Sequence, residues 1–429
     1  MKSMNIATRR GFLAGGLGIV GIGGILPNFL LRSAMAGPTA ADDRIVVSLL
    51  LTGGPDGLSV VPPYTNDEYY KHRKVLAIQP KESLKLNDQF GLHPKLAGFK
   101  SLYDQGRMAV VLGTGYPNFN LSHFSGRNIW EAGRENVGDI PKSGATGWLG
   151  RYVDFACKGN PDPTLNVAVG AGSLPLIVRG KDHLGIGFTS PDSFKFLGDR
   201  TQKGQAVYGK LNQMSGDMKA LKEMKEPSAS DELQFITNTA VNANDASAKL
   251  GDLAGKYRTP VQYPDTDFGV SVKTIAAFIN GGLTARAYYA AQGIAVFGGY
   301  ATHADQPRRL GQLLEELNQT MTAFYQDLDR CGNGKRVLTF TYSEFGRRVH
   351  ENQSGGTDHG LAQPMFLFGS GLKPGIHGTQ PSLTDLDERG NLKMSVDFRN
   401  VYAAILEKWL HVPQDKVLDK AYPLLDCIA

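Results

Sequence analysis

A carboxylate and an imidazole stand side by side in Gly355-Gly356-Thr357-Asp358-His359-Gly360. On a glycine-freed loop, neighbours need not point to opposite faces as they do on a strand, so both can turn toward one divalent cation. A turn with an ordinary histidine reads the same way, so the pair gains weight only from partners. Asp56, in Gly53-Gly54-Pro55-Asp56-Gly57, is one candidate, and a plain Asp-Gly turn is its bland alternative. His303 closes Gly298-Gly299-Tyr300-Ala301-Thr302-His303 and is another, against the reading of a loop histidine that caps a helix. Ser122, in Asn120-Leu121-Ser122-His123-Phe124, opens a helical pattern, where N–H groups and the helix dipole favour the anion formed when a hydroxyl attacks a phosphate or sulfate ester. Serine is also a good N-cap, and taken alone the cap is the preferred reading. His123 could protonate a leaving group or support a ligand, or simply pack. Glu344 and Arg347 could orient a ligand or bind substrate oxyanions, or form a buried ion pair. His93, His183 and His377 are read as structural. No HExxH, GxxxxGK[ST] or GxSxG is present, and Cys157, Cys331 and Cys427 lack the CxxC spacing of a zinc ribbon or a thioredoxin-type site.

The elements that would carry these residues alternate. Ile45–Leu51 is a nearly unbroken apolar run stopped by glycines, as a strand covered on both faces reads. Similar runs lie at 108–113, 165–169, 294–297, 337–342 and 365–368. Helical spacing of apolar residues separates most of them, at 96–103, 122–132, 270–279, 310–328 and 398–410. This alternation predicts an α/β fold, with a central, mostly parallel sheet flanked by helices, that gathers Asp56, His303, Glu344 and Asp358-His359 at the carboxyl ends of its strands. Between about 193 and 267 two polar helical stretches, 206–224 and 231–256, follow each other without a strand and read as a helical insertion or cap.

The chain opens differently. Thr8-Arg9-Arg10-Gly11-Phe12-Leu13 leads into an apolar run over 12–31, broken by glycines and Pro27, and then into Ala34-Met35-Ala36. These are the parts of an export signal, and the arginine pair points to the twin-arginine machinery and a periplasmic or otherwise exported protein. The run is too interrupted for a permanent span. Residues 1–36 are therefore set apart from a main α/β domain over 37–429. Without that segment 42 basic residues face 41 acidic ones, which leaves no electrostatic footprint for nucleic acid.

Together, Asp56 in its Gly-Gly-x-Asp-Gly segment, Ser122-His123-Phe124 with Trp130, Ser343-Glu344-Phe345-Gly346-Arg347, Gly356-Thr357-Asp358-His359-Gly360 and Asp397-Phe398-Arg399-x-Val401-Tyr402 resemble, in order, the domain-of-unknown-function 1501 family. That family is often exported by the twin-arginine route and looks like a distant branch of the alkaline phosphatase and sulfatase superfamily. The resemblance implies an alkaline-phosphatase-like fold and metal-assisted hydrolysis of phosphate or sulfate esters, small or polymeric. The cofactor would be a divalent ion, whether zinc, calcium, magnesium or manganese. It further implies that Asp56, Asp358 and His359 hold one cation, that His303 belongs to a second, and that Ser122 lies near the attacked atom. One departure stands out. Where the family usually has Asp-Thr-His, this chain has Ala301-Thr302-His303, and alanine cannot ligate; Asp305 is the nearest substitute. The expectation therefore divides between a metal-dependent hydrolase and a catalytically degenerate binding or assembly factor of the cell envelope.

Overall fold

Strand β1 (Ile45–Leu51) is buried over all seven residues. Ile45, Val47, Leu49 and Leu51 enter one hydrophobic core and Val46 and Leu50 another, as the two faces of a doubly covered strand require. The computed structural model describes residues 43–135, 144–159, 162–190, 246, 249–293 and 298–429. After β1 come α1 (Gly57–Val60), α2 (Asp67–His72), the ribbon strands β2 (Leu84–Lys85) and β3 (Gly91–Leu92), α3 (Ala97–Asp104), β4 (Met108–Gly115), α4 (His123–Ala132) and α5 (Trp148–Ala156). The chain continues through β5 (Asn166–Val169), β6 (Ile186–Phe188), α6 (Asp267–Asn280), β7 (Ala287–Gln292), α7 (Gln306–Arg330) and β8 (Val337–Tyr342). It ends with β9 (Gln363–Phe368), β10 (Gly375–His377), β11 (Val396–Asp397) and α8 (Phe398–Ala404), which runs on into a π-helical turn at Ile405–Trp409.

The main sheet has the order β10-β4-β9-β8-β1-β7-β5-β6, with β11 also on β4. β1 pairs in parallel with both β7 and β8, and β5 joins β7 and β6 in the same sense. β9 alone opposes its neighbours β4 and β8. Helices α3, α6 and α7 contribute to the core on one face, and α4, α5 and α8 to that on the other. This is the mostly parallel, helix-flanked sheet that the alternation of patterns predicts.

Two expectations shift. The strand leading toward His303 is β7, at Ala287–Gln292; 294–297 lies outside the described residues. The sequence of β7, Ala-Tyr-Tyr-Ala-Ala-Gln, has two strand-favouring tyrosines but no β-branched residue and three alanines, so its place between β1 and β5 decides what the local preference leaves mixed. Most of the expected helical insertion and the whole export signal also lie outside the described residues, although 249–256 is helical. Among the described residues no helix is long and apolar enough to cross a membrane.

Candidate functional site

The carboxyl ends of β1, β7 and β8 share one edge of the sheet, and the reversal of β9 brings the 356–362 loop to the same edge. The loops meet backbone to backbone. A Cβ on Gly53, whose φ is +106°, would stand 2.5 Å from the Ala301 nitrogen, and one on Gly356 would stand 2.3 Å from the Thr302 oxygen. Glycine is needed at both places for contact this close. Arg347 ties the loops from below. Its Nε donates to Gly54 O at 2.8 Å, Nη1 to Thr357 O at 2.9 Å, and Nη2 to Tyr300 O at 3.2 Å and to Gly53 O.

Above it the imidazoles gather. His303 Nε2 lies 3.1 Å from His359 Nε2 and 3.4 Å from Arg347 Nη1, while His303 Nδ1 faces Asp358 Oδ1 at 3.3 Å. The His359 ring centroid is 4.8 Å from that of His123 and 4.3 Å from that of Phe345. His123 Nδ1 in turn lies 3.5 Å from Glu344 Oε1. The structure therefore brings together His123, His303, Glu344, Arg347, Asp358 and His359. His303 and Asp358 are about half exposed, at 47% and 50% of their side chains, and Glu344 lies beneath them at 2%.

Burial disfavours the Glu344 charge, but hydrogen bonds from His123, its own backbone N–H, Ser343 and the Gly53 N–H outweigh it and hold the carboxyl below its usual range. For Arg347 burial wins and brings the guanidinium down to about 10, against the pull of Asp56, Glu344 and Asp358. His359 is lowered to about 4, first by burial and then by Arg347, His123 and His303. Its folded value thus lies below the ordinary 6.5, so between those values the unfolded chain binds more protons. Stability is expected to be full above about pH 6.5 and to fall toward pH 4. Chemical denaturation across that range measures the slope, and His359→Asn should flatten it in part, since His93 is also lowered to about 4.

Asp56 does not join this cluster. Arg73 grips it at 2.5 and 2.9 Å, and Ser59 Oγ and Gln306 Nε2 donate to it at 2.7 and 2.6 Å. Asp305, the substitute for the carboxylate missing at position 301, is ion-paired with Arg308. Ser122 is the N-cap of α4, and its side chain accepts from the Ser125 N–H at 3.4 Å. Ser122→Ala should cost about 1 kcal/mol as a lost cap, read from the denaturation midpoint. If the nucleophile reading holds, any ester turnover would vanish with the same substitution.

Neither the cation expected at Asp56, Asp358 and His359 nor the second one expected at His303 fits these positions. His303 turns opposite ring edges to Asp358 and His359, so the three donors do not converge, and a guanidinium already flanks Nε2. Asp56 is closed off by Arg73. Among the described residues no three His, Cys, Asp or Glu side chains are placed to hold one metal ion.

A family described as "Protein of unknown function (DUF1501)" matches residues 43–420. The chain belongs to that family. No curated protein matches this DUF1501 chain significantly. Solved structures similar to it include Ps i-CgsB in complex with k-i-k-neocarrahexaose, at 11% identity and a TM-score of 0.39, covering 88% of this chain and 74% of that one. Another is the alkaline phosphatase from the Antarctic bacterium TAB5, at 11% identity and a TM-score of 0.32, covering 77% and 92%. A third is the lipoteichoic acid synthase LtaP from Listeria monocytogenes, at 10% identity and a TM-score of 0.39, covering 91% and 77%. Likenesses this loose assign no chemistry to the DUF1501 chain.

Arg73 and Gln306, which close off Asp56, are the residues sequence reasoning passes over. Arg73 follows Tyr-Tyr-Lys-His at the end of a short polar helix and carries no sign of burial. Gln306, at the start of α7, looks like an ordinary helix-opening residue.

Proposed function

We propose that this DUF1501 protein is an exported, hydrolase-like binding protein whose cleft takes the oxyanion of a phosphate- or sulfate-ester group. The observation that carries the reading is Arg347. Its guanidinium is buried among backbone carbonyls and one imidazole, and Asp56, Glu344 and Asp358 attract it while, among the described residues, none of them forms an ion pair with it. An unpaired buried charge is costly, and an arriving anion would offset part of that cost through charge alone, since the N–H groups are already donating. His123, partly open to solvent beside Glu344, is the imidazole placed to touch the ligand. This favours the catalytically degenerate reading. Inorganic phosphate or sulfate should raise the melting temperature of the mature protein above that in chloride of equal ionic strength, as ligand binding to the folded state requires. Equal melting curves would remove the proposal.

Metal-dependent ester hydrolysis is a second reading, since the 3.1 Å between the His303 and His359 Nε2 atoms would suit two imidazoles on one cation once the Arg347 guanidinium, 3.4 Å from the same His303 atom, moved aside. It expects stoichiometric divalent metal after native export and an esterase turnover that Asp358→Ala abolishes. If Ala301→Asp raised metal content, the second site would be latent. Export itself rests on Arg9-Arg10; lysine at both positions should hold the precursor in the cytoplasm, and a periplasmic product from that variant would refute the twin-arginine assignment.

A further inference from the structure

Asp56 stands just beyond β1, where the resemblance to metal-assisted hydrolases would put a cation. A cation is there, and it belongs to the chain. Arg73, at the C-terminal cap of α2, offers a guanidinium fork to both carboxylate oxygens, and both side chains are fully buried. The rest of that guanidinium bonds Val349 O and, at 2.8 Å, Arg348 O, on the loop that follows Arg347. Ser59 and Gln306 add two more donors, both at the Oδ2 that Arg73 Nη1 already holds. Gln306 also takes the hydroxyls of Thr302 and Thr357 at 3.0 and 2.7 Å, so the charge centre at Asp56 is linked to the two loops that carry His303 and Asp358.

We infer that Arg73 is a resident cation replacing a divalent ion at Asp56, so that this carboxylate is compensated without metal. In its meaning for ligand binding the inference rests on the anion-binding reading; its metal test does not. Asp56, Arg348 O and Val349 O are all oxygen donors, and with Arg73 removed they would suit a hard cation.

The test uses the mature chain purified after native export. Its metal content is measured, the chain is stripped with EDTA, and it is then titrated with Mn²⁺ and Ca²⁺ by calorimetry. The native protein should contain no stoichiometric divalent ion, and any phosphate-induced rise in melting temperature should be the same with and without EDTA. Arg73→Ser should take up one Mn²⁺ or Ca²⁺ per chain, and adding Asp56→Asn should abolish that uptake. Arg73→Lys, which keeps the charge, should take up none. Stoichiometric metal in the native protein that disappears with Asp56→Asn would overturn the inference, as would a folded Arg73→Ser that binds no cation. If Arg73→Ser does not fold, the native metal content decides. Absence of a phosphate effect would sink the anion-binding reading and leave the metal result to be judged by itself.

Discussion

Exchanging Arg347 for methionine is expected to lower the unfolding free energy by about 3–5 kcal/mol and to erase the phosphate-induced rise in melting temperature. The guanidinium is the common donor to Gly53, Gly54, Tyr300 and Thr357, which lie on three separate loops. Tyr300 O keeps the Thr302 N–H, but each of the other three buried carbonyls left without a donor costs about 1–3 kcal/mol, so the gross loss runs from about the figure given to well above it. Two effects reduce it. The loops relax toward water, and a buried charge with no ion-pair partner no longer has to be desolvated. Lysine at the same place keeps a positive charge but cannot fork to several carbonyls, so it should recover part of the phosphate response and little of the stability. Urea unfolding with and without phosphate separates the two losses. A methionine variant as stable and as phosphate-responsive as the native chain would mean that the loops hold themselves.

Asp56→Ala should be as severe, again about 3–5 kcal/mol, because it strands Arg73 in the interior. Replacing both partners by leucine should cost much less than the sum of the single losses, and the double-mutant cycle gives their coupling. Burial works against the Asp56 charge, but Arg73, Ser59 and Gln306 bring its pKa below the ordinary 3.8. The sign follows directly. The unfolded chain takes up the proton first as pH falls, so this stabilisation is complete above about pH 4 and is lost as pH drops through the lower folded value. Glu344, also lowered, adds to the same acid limb. Asp56→Asn should shift the acid-unfolding midpoint of the native chain; an unchanged acid limb would show that the pair does not govern it.

What the chain discloses before folding divides along physical lines. β1 and β8 are legible because a strand covered on both faces must be apolar throughout, and that is a local property. β7 is not, because its strand character comes from neighbours far away in sequence. The meeting of His303 with Asp358 and His359 follows from placing each at a loop on the carboxyl edge of the sheet. The fate of Asp56 does not, because the partner of a carboxylate is a tertiary matter. Arg73 is 17 residues away and belongs to a helix whose pattern looks solvated. Ser122 could be read as nucleophile or as cap, and its side chain makes the capping hydrogen bond that the simpler reading requires.

The place of β1 between β7 and β8 governs the timing of assembly. Val46 pairs with Ala287 and Leu338, so β1, the first strand among the described residues, has no neighbour in the sheet until more than half of the chain has been made. Contacts of such long sequence separation slow folding and leave an apolar strand without its edges meanwhile. A nascent chain stopped after β7 would expose the β8 side of β1, ready to pair with another copy. The centre of the sheet is thus secured late, before only the β4 side that β9, β10 and β11 complete, and translation must run past Tyr342 before the loops from β1, β7 and β8 can face one another.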